Sequence, residues 1–322
     1  MSSTRPTLEQ LRAAAAIVRQ RVAPTPQHHW PLLDQRVGAT VFVKHENHTP
    51  IGAFKVRGGV VYFDRLMARA GGIRGVISAT RGNHGQSLAL AARHHGLQAT
   101  IVVPHGNSRE KNAAMRAQGA ELVEHGNDFH AAREHAERLA ARDGLHMVPS
   151  FHPDLVLGVA SYALELFDAH ADLDAVLVPI GLGSGASGLI AARDALGLKT
   201  AVIGVVSEGA PTYALSLAAG RVIEHEVTTQ LADGMACRVA EPDALEILRR
   251  GLGGLLRVSD AEVAAAMRTL FECTHQVAEG AGAAALAALM QQRARFAGQR
   301  VGIVLSGGNV DRDVFADVLK GA

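Results

Sequence analysis

The sequence has few cysteines, few aromatic residues and no long hydrophobic run. Its two cysteines, Cys237 and Cys273, are too few for a disulfide framework or a thiolate metal site, so we expect reduced thiols. No stretch approaches the roughly 20 consecutive apolar residues that span a bilayer, and the N-terminal segment lacks the apolar core of a signal peptide. These absences predict a cytoplasmic protein that does not act at a membrane.

An excess of either charge is also missing. The chain of 322 residues carries 32 Lys and Arg against 31 Asp and Glu, which leaves a formal net charge of +1. Because binding to a phosphate backbone normally requires a basic excess, nucleic acid is not an expected partner. The length and the 48% hydrophobic fraction favour one large α/β domain or two packed lobes.

Short apolar runs rich in β-branched residues alternate with longer segments of helical periodicity. This alternation predicts the α/β class, with parallel sheets covered by helices. We expect two lobes with the active site between them: a large domain of residues 1–48 plus 147–322, and a small domain of residues 49–146. The predicted strands are residues 41–43, 75–80, 99–104, 175–180, 200–206 and 300–306.

Three loops follow three of these strands directly. Their sequences are RGNHGQ at 81–86, GLGSGASG at 181–188 and GGN at 307–309. In sheets of this type, ligands bind outside the carboxyl ends of the strands. These loops are therefore the first candidates for chemistry.

The loop at 181–188 ends a predicted strand and opens a predicted helix. Its glycines let backbone amides approach a ligand, and the helix N-terminus favours an anion such as a phosphate. Gly183, Gly185 and Gly188 also form a GxGxxG pattern, with Glu208 twenty residues after Gly188, so a dinucleotide site stays open as an alternative. A tight strand-to-helix turn without a ligand is a further alternative for the same glycines.

Lysine is scarce, with five lysines against 27 arginines, and Lys55 lies in an unusual context. The segment GAFKVRGG at 52–59 follows no amphipathic pattern, although an isolated lysine there could be a solvated helix residue. Of these two basic side chains, only lysine can lose its proton and act as a nucleophile. An amine of this kind beside a phosphate site is what pyridoxal phosphate requires.

Six segments of the chain form an ordered set of motifs: GAFKVRGG (52–59), SATRGNHGQSLA (78–89), PIGLGSGASG (179–188), LADGMACR (231–238), VAEGAGAAALAAL (277–289) and LSGGNVD (305–311). Together they resemble the serine/threonine dehydratase family of pyridoxal-phosphate enzymes, which has the tryptophan-synthase β-subunit type of fold, fold type II. The resemblance covers nearly the whole chain. It implies a homodimeric ammonia-lyase that eliminates the β-hydroxyl of serine, threonine or a 3-substituted serine and yields a 2-keto acid and ammonia.

The resemblance also implies roles for single residues. Lys55 matches the catalytic lysine that holds the cofactor as a Schiff base, Asn83 matches the partner of its phenolic oxygen, and Ser306 the partner of its pyridine nitrogen. The implied cofactor-binding residues are Phe54, Lys55, Asn83, Gly181, Gly183, Ser184, Gly185, Glu279 and Ser306. The implied substrate-binding residues are Thr80, Arg81, Gly82, Asn83 and His84.

Simpler structural roles remain open for three of these residues. Asn83 could cap the following helix, Ser306 could cap a turn at a strand end, and Glu279 could be a carboxylate in the first turn of a helix. Within pyridoxal-phosphate chemistry, a racemase or a β-replacement enzyme would share every cofactor motif. A nicotinamide-dependent oxidoreductase would instead use the loop at 181–188 and Glu208.

Arg81 departs from the family pattern, which commonly has Ser or Ala at this position. In racemising relatives a serine here transfers the second proton, so racemisation is not expected. The fixed charge and planar fork of an arginine suit a carboxylate. We therefore hypothesise that Arg81 binds the substrate's α-carboxylate or selects an acidic side chain, as in a 3-hydroxyaspartate; the alternative is a guanidinium directed to solvent or to an acidic residue of the facing lobe.

Two further departures concern the entrance and a metal. Residues 48–51, His-Thr-Pro-Ile, precede Gly52 where the family usually has another sequence, so the entrance to the site is expected to differ. Val206 occupies the position at which metal-binding relatives carry an acidic residue, and Glu208 lies two residues later. We therefore expect no metal.

Overall fold

The computed structural model describes residues 5–321, and its larger sheet has six strands. The strand order is β1-β2-β10-β7-β8-β9, and every neighbouring pair is parallel except β1 with β2. Only the edge strand β1 thus breaks the predicted parallel arrangement. The strands are β1 (Gln27–His29), β2 (Thr40–His45), β7 (Ala175–Pro179), β8 (Ala201–Ser207), β9 (Gly254–Val258) and β10 (Arg300–Leu305).

A second, smaller sheet has four strands, all parallel, in the order β5-β4-β3-β6. It comes from one continuous stretch of chain between β2 and β7, so the chain leaves the large sheet, builds the small one and returns. The two sheets define a large and a small lobe. The strands of the small lobe are β3 (Gly75–Ala79), β4 (Gln98–Val103), β5 (Glu121–Glu124) and β6 (His146–Met147).

Fourteen helices accompany these strands within residues 5–321, and none of them is both long and apolar enough to cross a bilayer. Two 3-10 turns, Glu46–His48 and Asp233–Met235, lie in loops. The helices are α1 (Leu8–Arg19), α2 (Pro31–Val37), α3 (Lys55–Arg69), α4 (Asn83–His94), α5 (Arg109–Ala117), α6 (Phe129–Asp143), α7 (Pro153–Ala169), α8 (Ser184–Ala195), α9 (Thr212–Ala219), α10 (Pro242–Gly251), α11 (Asp260–Thr274), α12 (Gly280–Gln291), α13 (Arg293–Phe296) and α14 (Arg312–Lys320).

Helices cover both faces of the large sheet, which explains why its central strands are apolar throughout. One face packs against α1, α7 and α8, and the other against α2, α11 and α12. Alanine and glycine occupy most of α12, so this helix lies close to the strands beneath it. The small sheet is covered in the same way by α4 and α5 on one face and by α6 on the other.

The register of the large sheet brings the candidate loops to one edge. Strand β10 lies between β2 and β7, with Leu305 opposite His45 and Ile303 opposite Leu177. The chain that follows β10 therefore emerges beside the glycine loop that follows β7. A backbone bridge between Ala53 and Gly307 then fixes the segment that leads into α3 at the same edge.

A buried group of charges anchors the first turn of α3. Arg57 donates from Nε to Glu46 at 2.7 Å and from Nη1 to Glu165 at 2.8 Å, and Lys44 donates to the same Glu165 at 2.6 Å. Burial opposes ionisation of Glu165, but Arg57 and Lys44 hold its pKa below the ordinary value. Two cations thus balance two carboxylates. Through Arg57, two residues after Lys55, helix α3 is fixed to the turn that follows β2 and to α7.

We predict that Arg57→Met destabilises the protein strongly, because it leaves two buried carboxylates without their main partner. Breaking a buried ion pair on one side costs about 3–5 kcal/mol, which denaturant unfolding would detect. Arg12→Met is the matched control, since Arg12 pairs with Asp168 on the exposed surface and such pairs contribute about 0–1 kcal/mol. Equal losses in the two variants would contradict the prediction.

Candidate active site

Lys55 is the first residue of α3, and its amine faces the glycine loop of the large lobe. The Nζ atom lies 3.3 Å from Ser184 Oγ and 5.0 Å from the centroid of the Phe54 ring. Burial lowers the pKa of Lys55 to about 8. About a tenth of the amine is therefore an unprotonated nucleophile at pH 7, far more than an ordinary lysine provides.

The glycine loop connects β7 to α8, and its glycines are required by close packing. A Cβ atom on Gly181 would lie 2.4 Å from the carbonyl oxygen of Gly234, and Gly183 has a φ of 95°. Helix α8 begins at Ser184, so the N–H groups of its first turn have no acceptor within the helix. The loop forms a backbone cradle that suits an anion.

Asn83 begins α4, and its side-chain amide is held at both ends by the large lobe. Its Nδ2 donates to Glu279 Oε1 at 2.6 Å, and its Oδ1 accepts from Asn309 Nδ2 at 2.8 Å. The helix cap is Gly82. The capping role is therefore excluded for Asn83, and its amide retains one N–H for another acceptor.

Glu279 precedes α12, yet its carboxylate does not cap that helix. Oε1 accepts from Asn83, and Oε2 lies 3.0 Å from the amine of Lys111. The pKa of Glu279 is raised above its ordinary value, mainly by burial. The nearby charge of Asp233 also raises this pKa, and the ammonium of Lys111 lowers it. The carboxylate is thus directed toward the lobe interface rather than toward the helix N-terminus.

Ser306 follows β10 and is buried at the sheet edge where the site lies. Its carbonyl oxygen accepts from the backbone N–H of Phe54 at 3.1 Å. This bond ties the segment that carries Lys55 to the end of β10. Ser306 and Lys55 therefore belong to the same part of the structure, although they are 251 positions apart in the sequence.

The loop after β3 carries the residues expected to bind substrate. Thr80 Oγ1 accepts from Gly82 N at 3.0 Å, which shapes the turn into α4. His84 is buried, and its Nε2 has no hydrogen-bond partner within residues 5–321. Burial, together with the charge of Lys55, lowers the pKa of His84 to about 3, so this ring is neutral.

Arg81 is half-buried at the beginning of the same loop. In the described part of the chain, its guanidinium has neither an ion pair nor a hydrogen bond. The alternative in which an acidic residue of the facing lobe binds Arg81 is therefore not what the structure contains. The fork is left available to a ligand or to solvent.

These residues fit pyridoxal phosphate. The unpartnered amides of α8 suit its phosphate, the amine of Lys55 suits its aldehyde, and the remaining N–H of Asn83 suits its phenolic oxygen. The unpartnered His84 Nε2 indicates that the pocket is completed by a polar ligand.

A divalent cation finds no comparable set of ligands. Within residues 5–321, no group of three or more His, Cys, Asp or Glu side chains could hold a metal ion. Glu208 is exposed just beyond the end of β8.

Comparisons with known proteins agree with this geometry. The family described as pyridoxal-phosphate dependent enzyme matches residues 18–307, and the chain belongs to that family. The resemblance, the fold class and the cofactor predicted from the sequence are thereby confirmed, and the nicotinamide alternative is wrong.

Among its relatives is an L-threo-3-hydroxyaspartate ammonia-lyase of a Pseudomonas species, which is 35% identical over 92% of this chain and 93% of its own. An L-threonine ammonia-lyase of Thermotoga maritima is 34% identical over 98% of this chain and 78% of its own. A solved structure of a pyridoxal 5'-phosphate-dependent aspartate racemase superposes with a TM-score of 0.91 at 28% identity, over 97% of this chain and 98% of that one.

Sequence reasoning missed three residues that contact Asn83, Glu279 or Lys111 at the lobe interface. Asn309 lies in the GGN loop that was a candidate for chemistry, and Asp233 in a motif without an assigned residue role. Lys111, on α5, was noticeable only as one of the five lysines. All three act through tertiary contacts that no local pattern reports.

We predict that the cofactor-free enzyme captures pyridoxal phosphate at a rate that depends on the unprotonated form of Lys55. The rate should rise about tenfold per pH unit below pH 8 and level off above it, because burial lowers the pKa of Lys55 to about 8. Stopped-flow absorbance would measure it. A rate that continues to rise to about pH 10 would show an ordinary lysine amine.

Proposed function

We propose that this protein is a pyridoxal-phosphate-dependent ammonia-lyase. It eliminates the β-hydroxyl of a β-hydroxy amino acid, which is threonine, serine or a 3-substituted serine, and yields a 2-keto acid and ammonia. The observation that carries the proposal is the Lys55 amine, with a pKa of about 8, facing the glycine loop at 3.3 Å from Ser184. The names of the two ammonia-lyase relatives support the reaction type.

Lys55 has two roles in this proposal. Its amine would hold the cofactor, and in its free form the same amine would remove the proton from the substrate Cα. Pyridoxal phosphate, when bound, would supply a sink for the electrons released at that carbon. A base with a pKa near the working pH suits proton transfer, and burial provides such a pKa here.

The other cofactor residues hold and orient the group. The N–H groups of the loop at Gly181, Gly183, Ser184 and Gly185 would bind its phosphate, and Phe54 would pack beside its ring. Asn83 would donate to the phenolic oxygen, supported by Glu279. Ser306 would offer the pyridine nitrogen a neutral hydroxyl, which would favour rapid loss of the β-hydroxyl over a long-lived carbanion.

The N-terminus of α4 receives the α-carboxylate of the substrate. Backbone N–H groups and the helix dipole favour an anion at this helix start. The residues around it are Thr80, Gly82, Asn83 and His84. Because His84 is neutral, it contributes a hydrogen bond and no charge. Arg81 is then available for a second carboxylate.

We propose that this second carboxylate is the side chain of a 3-hydroxyaspartate. The guanidinium of Arg81 is half-buried at the substrate loop without a protein partner, and a planar fork binds carboxylates in two parallel hydrogen bonds. One of the relatives is named for this substrate. Racemisation remains the alternative that the aspartate racemase structure favours, but Arg81 has no hydroxyl with which to transfer a second proton.

The domain boundaries, the assembly and the location complete the proposal. Residues 1–48 plus 147–322 would form the cofactor-binding domain and residues 49–146 the substrate-side domain. The strands of the small sheet, which lie between Gly75 and Met147, support a division close to these boundaries. We further propose a cytoplasmic homodimer, which the family resemblance and two unpaired buried cysteines support. Light scattering of the purified protein tests the dimer.

We predict that Lys55→Ala folds but loses covalently bound cofactor and ammonia release. Alanine is well tolerated in a helix, so the loss is chemical rather than structural. Visible absorbance, ammonia assays and circular dichroism measure the three properties. Lys199→Ala is the matched control because Lys199 is exposed on the large lobe; parental turnover by Lys55→Ala would refute its proposed role.

We predict that Arg81→Ala lowers kcat/KM for L-threo-3-hydroxyaspartate at least tenfold. A hydrogen bond to a charged group contributes about 1.5–3 kcal/mol, and about 1.4 kcal/mol corresponds to one decade. If Arg81 binds the side chain, serine and threonine should lose much less activity. Equal losses on all substrates would assign Arg81 to the α-carboxylate instead, and parental kinetics throughout would remove it from the site.

A further inference from the structure

Lys111 extends from the small lobe into a pair of carboxylates of the large lobe. Its amine lies 2.7 Å from Asp233 Oδ2 and 3.0 Å from Glu279 Oε2. The side chain is buried, and its stem covers the turn before α4, where a Cβ atom on Gly82 would lie 2.5 Å from Lys111 Cδ. This cation therefore connects the lobe interface to the loop that carries Asn83.

The carboxylate of Glu279 determines which way the Asn83 amide points. Asn83 donates its Nδ2 to Glu279 and accepts from Asn309 through Oδ1. A flipped amide would place its oxygen against the carboxylate and its nitrogen against the Asn309 donor, losing both bonds. Asn83 thus belongs to the small lobe but is oriented by two residues of the large lobe.

We propose that Lys111 is a positioning residue that favours the carboxylate form of Glu279 against burial and thereby presents an N–H of Asn83 to the cofactor. The inference rests on the proposed role of Asn83 as a cofactor contact. It does not depend on which amino acid is the substrate.

The charges around Glu279 explain why a cation is needed there. Burial raises the pKa of Glu279, and the neighbouring Asp233 raises it further. Burial disfavours the charge on Lys111, but the two carboxylates raise its pKa above the ordinary value, so it stays protonated. Without this ammonium, the buried carboxylate of Glu279 would face the partly exposed carboxylate of Asp233, and Glu279 would take up a proton more readily.

The docking of α5 does not depend on Lys111 alone. Asp311 of the large lobe accepts from Ser108 Oγ at 2.5 Å and from the backbone N–H of Arg109 at 3.3 Å. In return, Glu110 accepts from the backbone N–H of Arg312 at the start of α14 at 2.9 Å. The start of each of the helices α5 and α14 therefore donates to a carboxylate of the other lobe. This contact can be weakened while Lys111 and Glu279 remain paired.

The first test is Lys111→Met, which removes the charge and keeps most of the stem over Gly82. In the holoenzyme without substrate, the pH at which the visible absorbance of the cofactor changes on acidification should rise by at least about one unit, because an opposite charge at this distance shifts a pKa by about 1–3 units. Below that pH, the spectrum should match that of Glu279→Gln. An unchanged titration would overturn the proposal.

A second readout uses the cofactor-free protein. Infrared difference spectra of Lys111→Met at neutral pH should contain the band of a protonated carboxyl group that is missing from the parent and from the double variant Lys111→Met/Glu279→Gln. This measurement is independent of the catalytic reaction, so failure of the proposed function on every substrate would leave it intact. Absence of the band in Lys111→Met would contradict the inference.

The matched control is Asp311→Ala, which weakens the docking of α5 but leaves Lys111 beside Glu279. It should lower thermal stability and preserve the parental pH of the spectral change. If it shifts this pH as much as Lys111→Met does, the role of Lys111 is only structural. Should Lys111→Met fail to fold, Asp233→Asn tests the same electrostatics in the opposite direction, since removing a like charge should lower the pH of the change.

Discussion

The guanidinium of Arg57 holds the first turn of the helix on which the proposed chemistry depends. It binds Glu46 in the turn after β2 and Glu165 on α7, and Lys44 completes a neutral group of four buried charges. Because Lys55 lies two residues before Arg57, this group determines where the Lys55 backbone begins α3. A buried group of this kind contributes little net stability but leaves few alternative arrangements once every donor and acceptor is satisfied.

Around this anchor, the site is assembled from both lobes. The large lobe supplies the glycine loop, Ser306 and Glu279, and the small lobe supplies the loop that begins α4. Asn83 and Lys111 cross from the small lobe to carboxylates and amides of the large one. The relative position of the lobes is thus part of the chemistry, because it sets the orientation of a proposed cofactor contact.

Much of the fold could be predicted from the local pattern. The six predicted strands correspond to β2, β3, β4, β7, β8 and β10, whose apolar residues are buried because helices cover both faces. Strands β1, β5, β6 and β9 were not predicted. The first three are short or polar and only half-buried at sheet edges, and the leucines of β9 were indistinguishable from the helical segments on either side.

The sequence by itself determined the family, the cofactor and the proposed catalytic lysine, since motifs such as GAFKVRGG and the glycine loop are contiguous and their chemistry depends on adjacent residues. It also made Asn83, Glu279 and Ser306 candidates through resemblance. Only the tertiary structure decided that Glu279 faces Asn83 rather than capping α12, and that Lys111 and Asp233 join them. These contacts connect residues 122 to 196 positions apart, and buried electrostatics depend on distances that the linear order of residues does not contain.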